Sequence, residues 1–125
     1  MIKKGQSNVG TPLIPINIID LSTISDEKLR MNYIASMLTD IYYYFYLERD
    51  SNELSKPKVA VFLDELHNFC PQGSVPTKKI IKKIVKEGRK FGIGFLGATQ
   101  NPTDIENKIR DNLSTKFIGK ITDPS

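Results

Sequence analysis

The chain has 125 residues, enough for one domain of common size and too few for two. With 39% hydrophobic and 26% charged residues it should bury a core, and its net charge of +4 permits a polyanionic partner without requiring one. No apolar stretch approaches the ~20 residues of a membrane span and no apolar run follows Met1-Ile-Lys-Lys4, so no membrane contact, no export signal and a cytoplasmic location are expected.

In chain order, residues 1–12 read as a flexible N-terminal segment, looped from Gly5 to Pro12. Ile14-Pro-Ile-Asn-Ile-Ile-Asp20 reads as a strand, with Pro15 near its start, where a missing N–H is tolerable. Ser25 or Asp26 can cap a helix running to about Glu48, since Ile34, Leu38, Ile41 and Phe45 recur on one helical face. The aromatic run Tyr42-Tyr-Tyr-Phe-Tyr46 covers several faces, which suits packing against a sheet or a partner interface. Residues 49–57 form a polar connection.

Val59-Ala-Val-Phe-Leu-Asp-Glu65 is a run of apolar, β-favouring residues that ends in two adjacent carboxylates. A buried parallel strand reads as such a continuous run, and ligands of open α/β sheets bind outside the carboxyl ends of the strands. Asp64 and Glu65 are therefore candidate site residues, the alternative being a strand followed by a solvated acidic turn. In nucleoside-triphosphatases of the P-loop class this arrangement is the Walker B element, whose first acid holds Mg²⁺ and whose second can orient the attacking water. Residues 66–75 read as a loop. His67 and Cys70 supply two ligands where a tetrahedral metal site needs four, and a single cysteine excludes an internal disulfide.

Thr77 or Ser74 can cap a helix over residues 78–89, ended by Gly88 or Gly92. Its apolar Ile80, Ile81, Ile84 and Val85 lie among Lys78, Lys79, Lys82, Lys83, Lys86 and Lys90. Lys79, Lys83 and Lys86 are candidates for sequence-independent contact with duplex DNA phosphates, against the alternative of a solvated face. Phe91-Gly-Ile-Gly-Phe-Leu-Gly-Ala-Thr-Gln100 reads as a second apolar strand closing on a polar pair. If the two strands are parallel neighbours, Gln100 lies near Asp64 and Glu65, where its amide can hydrogen-bond a phosphate or a water; otherwise it merely ends a strand. A short helix follows from residues 101–104 through Asp111, and residues 116–121 read as a last strand. The order β-α-β-α-β-α-β implies an α/β fold with a mostly parallel sheet and helices on both faces.

Five stretches in register resemble the C-terminal half of the motor domain in the HerA/FtsK group of ring-forming DNA-translocating ATPases, more closely its archaeal HerA branch. They are Ile18-Ile-Asp-Leu-Ser22, residues 59–65, Glu87-Gly-Arg-Lys-Phe-Gly-Ile93, Gly97-Ala-Thr-Gln-Asn-Pro102 and Ile109-Arg-Asp-Asn-Leu113. The resemblance implies a single partial RecA-like P-loop domain over residues 1–125. It implies that Asp64 serves Mg²⁺, that Glu65 activates water, that Gln100 senses the γ-phosphate, and that Arg89 or Arg110 acts across a subunit boundary. It also implies ATP and Mg²⁺ as cofactors, duplex DNA as partner, a hexameric ring, and a DNA end-processing nuclease as a further partner.

One element of the family pattern is missing, because Gly-x-x-x-x-Gly-Lys-[Ser/Thr] occurs nowhere in the chain. The chain is accordingly expected to be a segment of a longer motor or a truncated relative, to hold no nucleotide tightly and to be inactive alone. Two other readings stay open. Asp64-Glu-Leu-His67 and Gly97-Ala-Thr99 also look like the DExH box and the Ser-Ala-Thr motif of superfamily-two helicases. A non-catalytic α/β interaction module is the other.

Overall fold

The structure, a computed structural model, describes residues 2–5, 16–48 and 56–119, the first of these as backbone only. The chain divides into two compact units, Met1–Arg30 and Met31–Ser125.

In the first unit, β1 (Ile2–Gly5) pairs antiparallel with β2 (Ile16–Ile19), Ile2 facing Ile19 and Gly5 facing Ile16. The strand expected at 14–20 is thus present in its central part, while Ile14 and Pro15 lie outside the described residues. Residues 2–5 are a correction, since they belong to the segment read as flexible. Four residues with two lysines carry no periodic signal, and what decides their state is the row of backbone donors and acceptors that β2 offers a partner.

The helix α1 (Glu27–Leu47) begins at Asp26, whose Oδ1 accepts the Leu29 N–H at 2.8 Å and whose carbonyl accepts that of Arg30. Its buried side chains are Met31, Ile34, Leu38 and Tyr42. Ile34 and Leu38 were expected; Tyr42 replaces Ile41 and Phe45 because 11 residues past Met31 a helix returns to within about 20° of the same face.

The second unit is built on a parallel pair, β3 (Val59–Leu63) and β4 (Ile93–Gly97), in register from Val59 opposite Ile93 to Leu63 opposite Gly97. Val61 and Ile93 turn into the core, whereas Phe62 and Leu96, opposite each other in register, are exposed. The crossover between the strands carries α2 (Lys78–Glu87), whose Ile80, Ile81 and Ile84 are buried. Thr77 precedes this helix without capping it, because its hydroxyl donates to the Phe69 carbonyl.

A 3-10 turn, Gly88–Phe91, follows α2 and takes up Arg89 and Lys90. Phe91 therefore belongs to the turn, where it packs edge-on against Tyr42 and Tyr46 at ring separations of 5.6 and 5.1 Å. Gly92 ends the turn at φ 78°, and a Cβ there would come within 2.6 Å of the Lys56 carbonyl oxygen. Of the two expected terminators it is Gly92 that needs to be glycine.

Beyond β4 the expected short helix is split. A 3-10 turn, Pro102–Asp104, precedes α3 (Asn107–Asn112), and between them Ile105 is extended, buried and bridged to Pro71. Glu106 N–H donates to the Cys70 carbonyl at 2.9 Å, tying the loop after β3 to the segment after β4. The last expected strand is not formed in its described part: residues 116–119 have no ladder, and Phe117 and Ile118 are 94% and 78% exposed. An edge strand needs a partner, and none reaches these residues among those described. Lys120 and Ile121 lie outside the described residues.

Candidate functional site

The parallel register places the ends of β3 and β4 side by side, and two more backbone bonds continue the pairing past both strands. Ala98 N–H donates to the Leu63 carbonyl at 3.0 Å, and Leu66 N–H donates to the Ala98 carbonyl at 2.8 Å. To reach the second bond the chain must turn sharply after Asp64. Glu65 makes that turn at φ 50°, ψ 49°, the left-handed region that non-glycine residues rarely occupy. The turn then buries Leu66 against Gly97, where a Cβ would stand 2.4 Å from Leu66 Cδ2. Glycine at 97 is what lets the acids' loop close over the end of β4.

Five polar side chains meet at this edge. Asp64 Oδ1 accepts the Glu65 N–H at 2.9 Å, which fixes one carboxylate oxygen against the backbone. Gln100 Nε2 donates to Glu65 Oε1 at 3.4 Å, so the residue three positions past β4 meets the residue two positions past β3. His67 Nδ1 lies 2.8 Å from Thr99 Oγ1, which also accepts the Asn101 N–H at 3.1 Å. The same His67 Nδ1 is 3.3 Å from Glu65 Oε2. That oxygen is buried and has no hydrogen bond, so the contact is one of proximity without bonding geometry.

The structure thus brings Asp64, Glu65 and Gln100 together, as the sequence suggested. His67 and Thr99 were missed as site residues. The DExH and Ser-Ala-Thr comparison names both stretches, and the 97–102 stretch of the family resemblance contains Thr99, but neither names the bond between them.

The arginines lie elsewhere. Arg89 is exposed in the 3-10 turn before β4, so the length of that strand, about 16 Å, separates it from the edge that carries Gln100. Arg110, half-buried on α3, donates through Nη2 to Asn107 Oδ1 at 2.9 Å, and not to Asp111 or Glu106.

The lysines of α2 divide. Lys78 and Lys82 reach Glu106 at 3.7 and 3.4 Å. Lys83 donates to the Tyr43 hydroxyl at 3.2 Å and sits 4.6 and 4.9 Å from the centres of the Tyr42 and Tyr43 rings. The hydrogen bond to Tyr43 raises its pKa, and burial, with Glu87 nearby, raises that of Tyr42. Of the three lysines expected to face DNA, only Lys79 and Lys86 are exposed; Lys83 is half-buried beside the aromatic rings. Among the described residues no group of three or more His, Cys, Asp or Glu side chains could hold a metal ion, and no helix is long and apolar enough to cross a membrane.

The fold and the edge define an α/β protein with a parallel sheet, compatible with part of a P-loop-type fold, whose polar residues gather at the carboxyl ends of its strands. A family model described as "Helicase HerA-like C-terminal" matches residues 15–118, and the chain belongs to that family. The chain is 26% identical over 136 aligned positions to the DNA double-strand break repair helicase HerA of Pyrococcus furiosus, covering 87% of this chain and 24% of that one. It is 28% identical to the protein of the same name from Sulfurisphaera tokodaii, over 88% of this chain and 22% of that one. A probable HerA helicase of Methanocaldococcus jannaschii is 32% identical over 62% of this chain and 16% of its own length. The chain thus spans a quarter or less of the length of the relatives it matches, and the family match favours the HerA comparison over the superfamily-two one.

Proposed function

We propose that this segment supplies the acid-and-sensor half of the nucleotide site in an ATP-driven DNA translocase or helicase of the HerA/FtsK type. The observation that carries the reading is the meeting of Glu65 and Gln100 across the ends of two parallel strands, beside Asp64. Relatives named as DNA double-strand break repair helicases support the DNA part of it. The complete motor would act on duplex DNA as a homo-oligomeric, hexameric ring, with a DNA end-processing nuclease as a further partner.

The donor set fits Mg²⁺. That ion binds through one or two carboxylates together with substrate phosphates, not in an all-protein cage, and Asp64 offers one such carboxylate just past the end of β3. Bound Mg·ATP would supply the transferable phosphoryl group and neutralise its charge. Asp64 would hold the metal through the carboxylate oxygen not engaged with the backbone. Glu65 would orient a water, and Gln100, already within reach of Glu65, would hydrogen-bond that water or a terminal phosphate oxygen.

The test is Glu65→Gln in the complete protein. Nucleotide binding should persist while turnover falls to background, because the amide keeps the shape and loses the base. Wild-type turnover in that variant would remove Glu65 from the role and with it this reading. Mg·ATP titration of the 125-residue chain should give at most weak heats, since the sequence carries no phosphate-binding loop. A micromolar isotherm would overturn that part.

A further inference from the structure

The geometry points to His67 as a positioning residue that sets the orientation of the Glu65 carboxylate from the tip of the neighbouring strand. This rests on the reading of Glu65 given above. A single ring nitrogen, Nδ1, faces two oxygens, Thr99 Oγ1 at 2.8 Å and Glu65 Oε2 at 3.3 Å. A carboxylate oxygen can only accept, so Nδ1 meets it favourably only as N–H. Neutral His67 is therefore the Nδ1–H tautomer, donating to Thr99 and lying against Glu65.

Oε2 is the buried oxygen that lacks a hydrogen bond, and the other oxygen, Oε1, is the one Gln100 reaches. An unpartnered buried carboxylate oxygen is costly, and His67 Nδ1 stands 3.3 Å from it: a small rotation of the imidazole would turn the Nδ1–H from Thr99 toward Glu65. His67 thus lies against the inner oxygen of the carboxylate and leaves Oε1 facing the amide of Gln100. Thr99 and Gln100 are consecutive, so one short segment after β4 touches both sides of the acid, through His67 and directly. A shift of that segment changes both contacts together.

The chain contains one histidine, which makes the tautomer directly readable. In a long-range ¹H–¹⁵N correlation spectrum of the 125-residue protein at pH 8, the neutral ring should carry its proton on Nδ1. Thr99→Val should shift that nitrogen. An Nε2–H ring, or a spectrum unmoved by Thr99→Val, would overturn the assignment.

The role is tested by turnover in the complete protein. In His67→Asn an amide nitrogen attached to Cγ takes the place of Nδ1, whereas in His67→Gln it takes that of Nε2. The Asn variant should keep most of kcat, and the Gln variant should lose about tenfold or more with KM for nucleotide little changed, a size usual for residues that orient a working ligand. Equal activity of the two variants overturns the proposal, whatever the cost of removing the ring altogether. A wild-type rate in Glu65→Gln would sink the underlying reading instead. An inactive Glu65→Gln beside two fully active His67 variants would sink this inference alone.

Discussion

Glu65 is held in a conformation its own chemistry disfavours, since a Cβ at φ 50° crowds the following carbonyl at a cost of about 1 kcal/mol or more. The strain is imposed from outside. Leu66 must be buried beside Gly97 and bonded to the Ala98 carbonyl, and the chain has a single residue in which to reverse after Asp64. Asparagine tolerates this region better than other side chains apart from glycine. Glu65→Asn should therefore unfold at the same or a higher denaturant concentration than the wild type, although it shortens the side chain and should abolish turnover in the complete protein. Equilibrium unfolding in urea measures the first half. A loss of more than about 1 kcal/mol would show that the contacts of the carboxylate with Gln100 and His67 outweigh the backbone strain.

At the scale of elements, what the sequence made legible is what depends on periodicity and on bulk. The apolar runs of β3 and β4 were readable from their β-favouring composition, although only Val61 and Ile93 of the two strands are buried, and the stripes of α1 and α2 from their helical period. The strand β1 was not, because its pairing is a property of β2's edge. Nor was the split before α3, where burial of Ile105 breaks a helix that its neighbours would allow. At the site, Asp64, Glu65 and Gln100 could be found from their place at the ends of apolar runs, while the His67–Thr99 bond joins residues 32 apart and leaves no local trace. The packing of these elements also sets an alkaline limit. Burial pushes the Cys70 thiol up to about 11, with Glu106 contributing, so the folded state keeps its proton after the unfolded chain has released it. A group whose folded pKa is raised contributes stability that is present below its unfolded pKa and is lost as pH rises through the folded one. Tyr42 and Lys83 are raised as well and act in the same sense. The urea midpoint should hold steady up to the thiol's ordinary value of 9.0 and fall between there and about 11. A midpoint constant across that window would mean that the thiol is not protected by the fold.

At the scale of the whole molecule, under the proposed motor function, the division of charge on α2 separates a DNA effect from a folding effect. Lys79 and Lys86 are exposed, whereas Lys83 is committed to Tyr42 and Tyr43. Replacing Lys79 and Lys86 with Gln should weaken binding to unrelated duplexes alike and reduce the log–log salt slope by roughly 0.9 for each lost phosphate contact. Lys83→Gln should lower stability and leave the slope unchanged. If all three substitutions act equally on the slope, the rings do not hold Lys83 away from DNA. An unchanged affinity with Lys79 and Lys86 removed would leave these side chains as a solvated face.

The position of Arg89 allows a sharper test of assembly. It precedes β4, and Gln100 follows it, so about 16 Å of strand lies between the arginine and the edge that carries the acids of the same chain. Under the proposed motor function an arginine that stabilises the charge developing during phosphoryl transfer must touch it, and at that separation Arg89 would do so at a neighbouring subunit's site. Arg110, by contrast, follows the Gln100 turn and is held by Asn107 within its own helix, which suits a structural role. In the complete protein Arg89→Ala should reduce turnover by about 10³-fold or more with nucleotide binding retained, and Arg110→Ala should not. Mixing Arg89→Ala with Glu65→Gln subunits, each inactive alone, should restore turnover, because in a ring of randomly mixed subunits about a quarter of the interfaces pair an intact Glu65 with an intact Arg89. Lost activity in Arg89→Ala without restoration on mixing would confine the arginine to its own subunit, and undiminished activity would exclude it from catalysis.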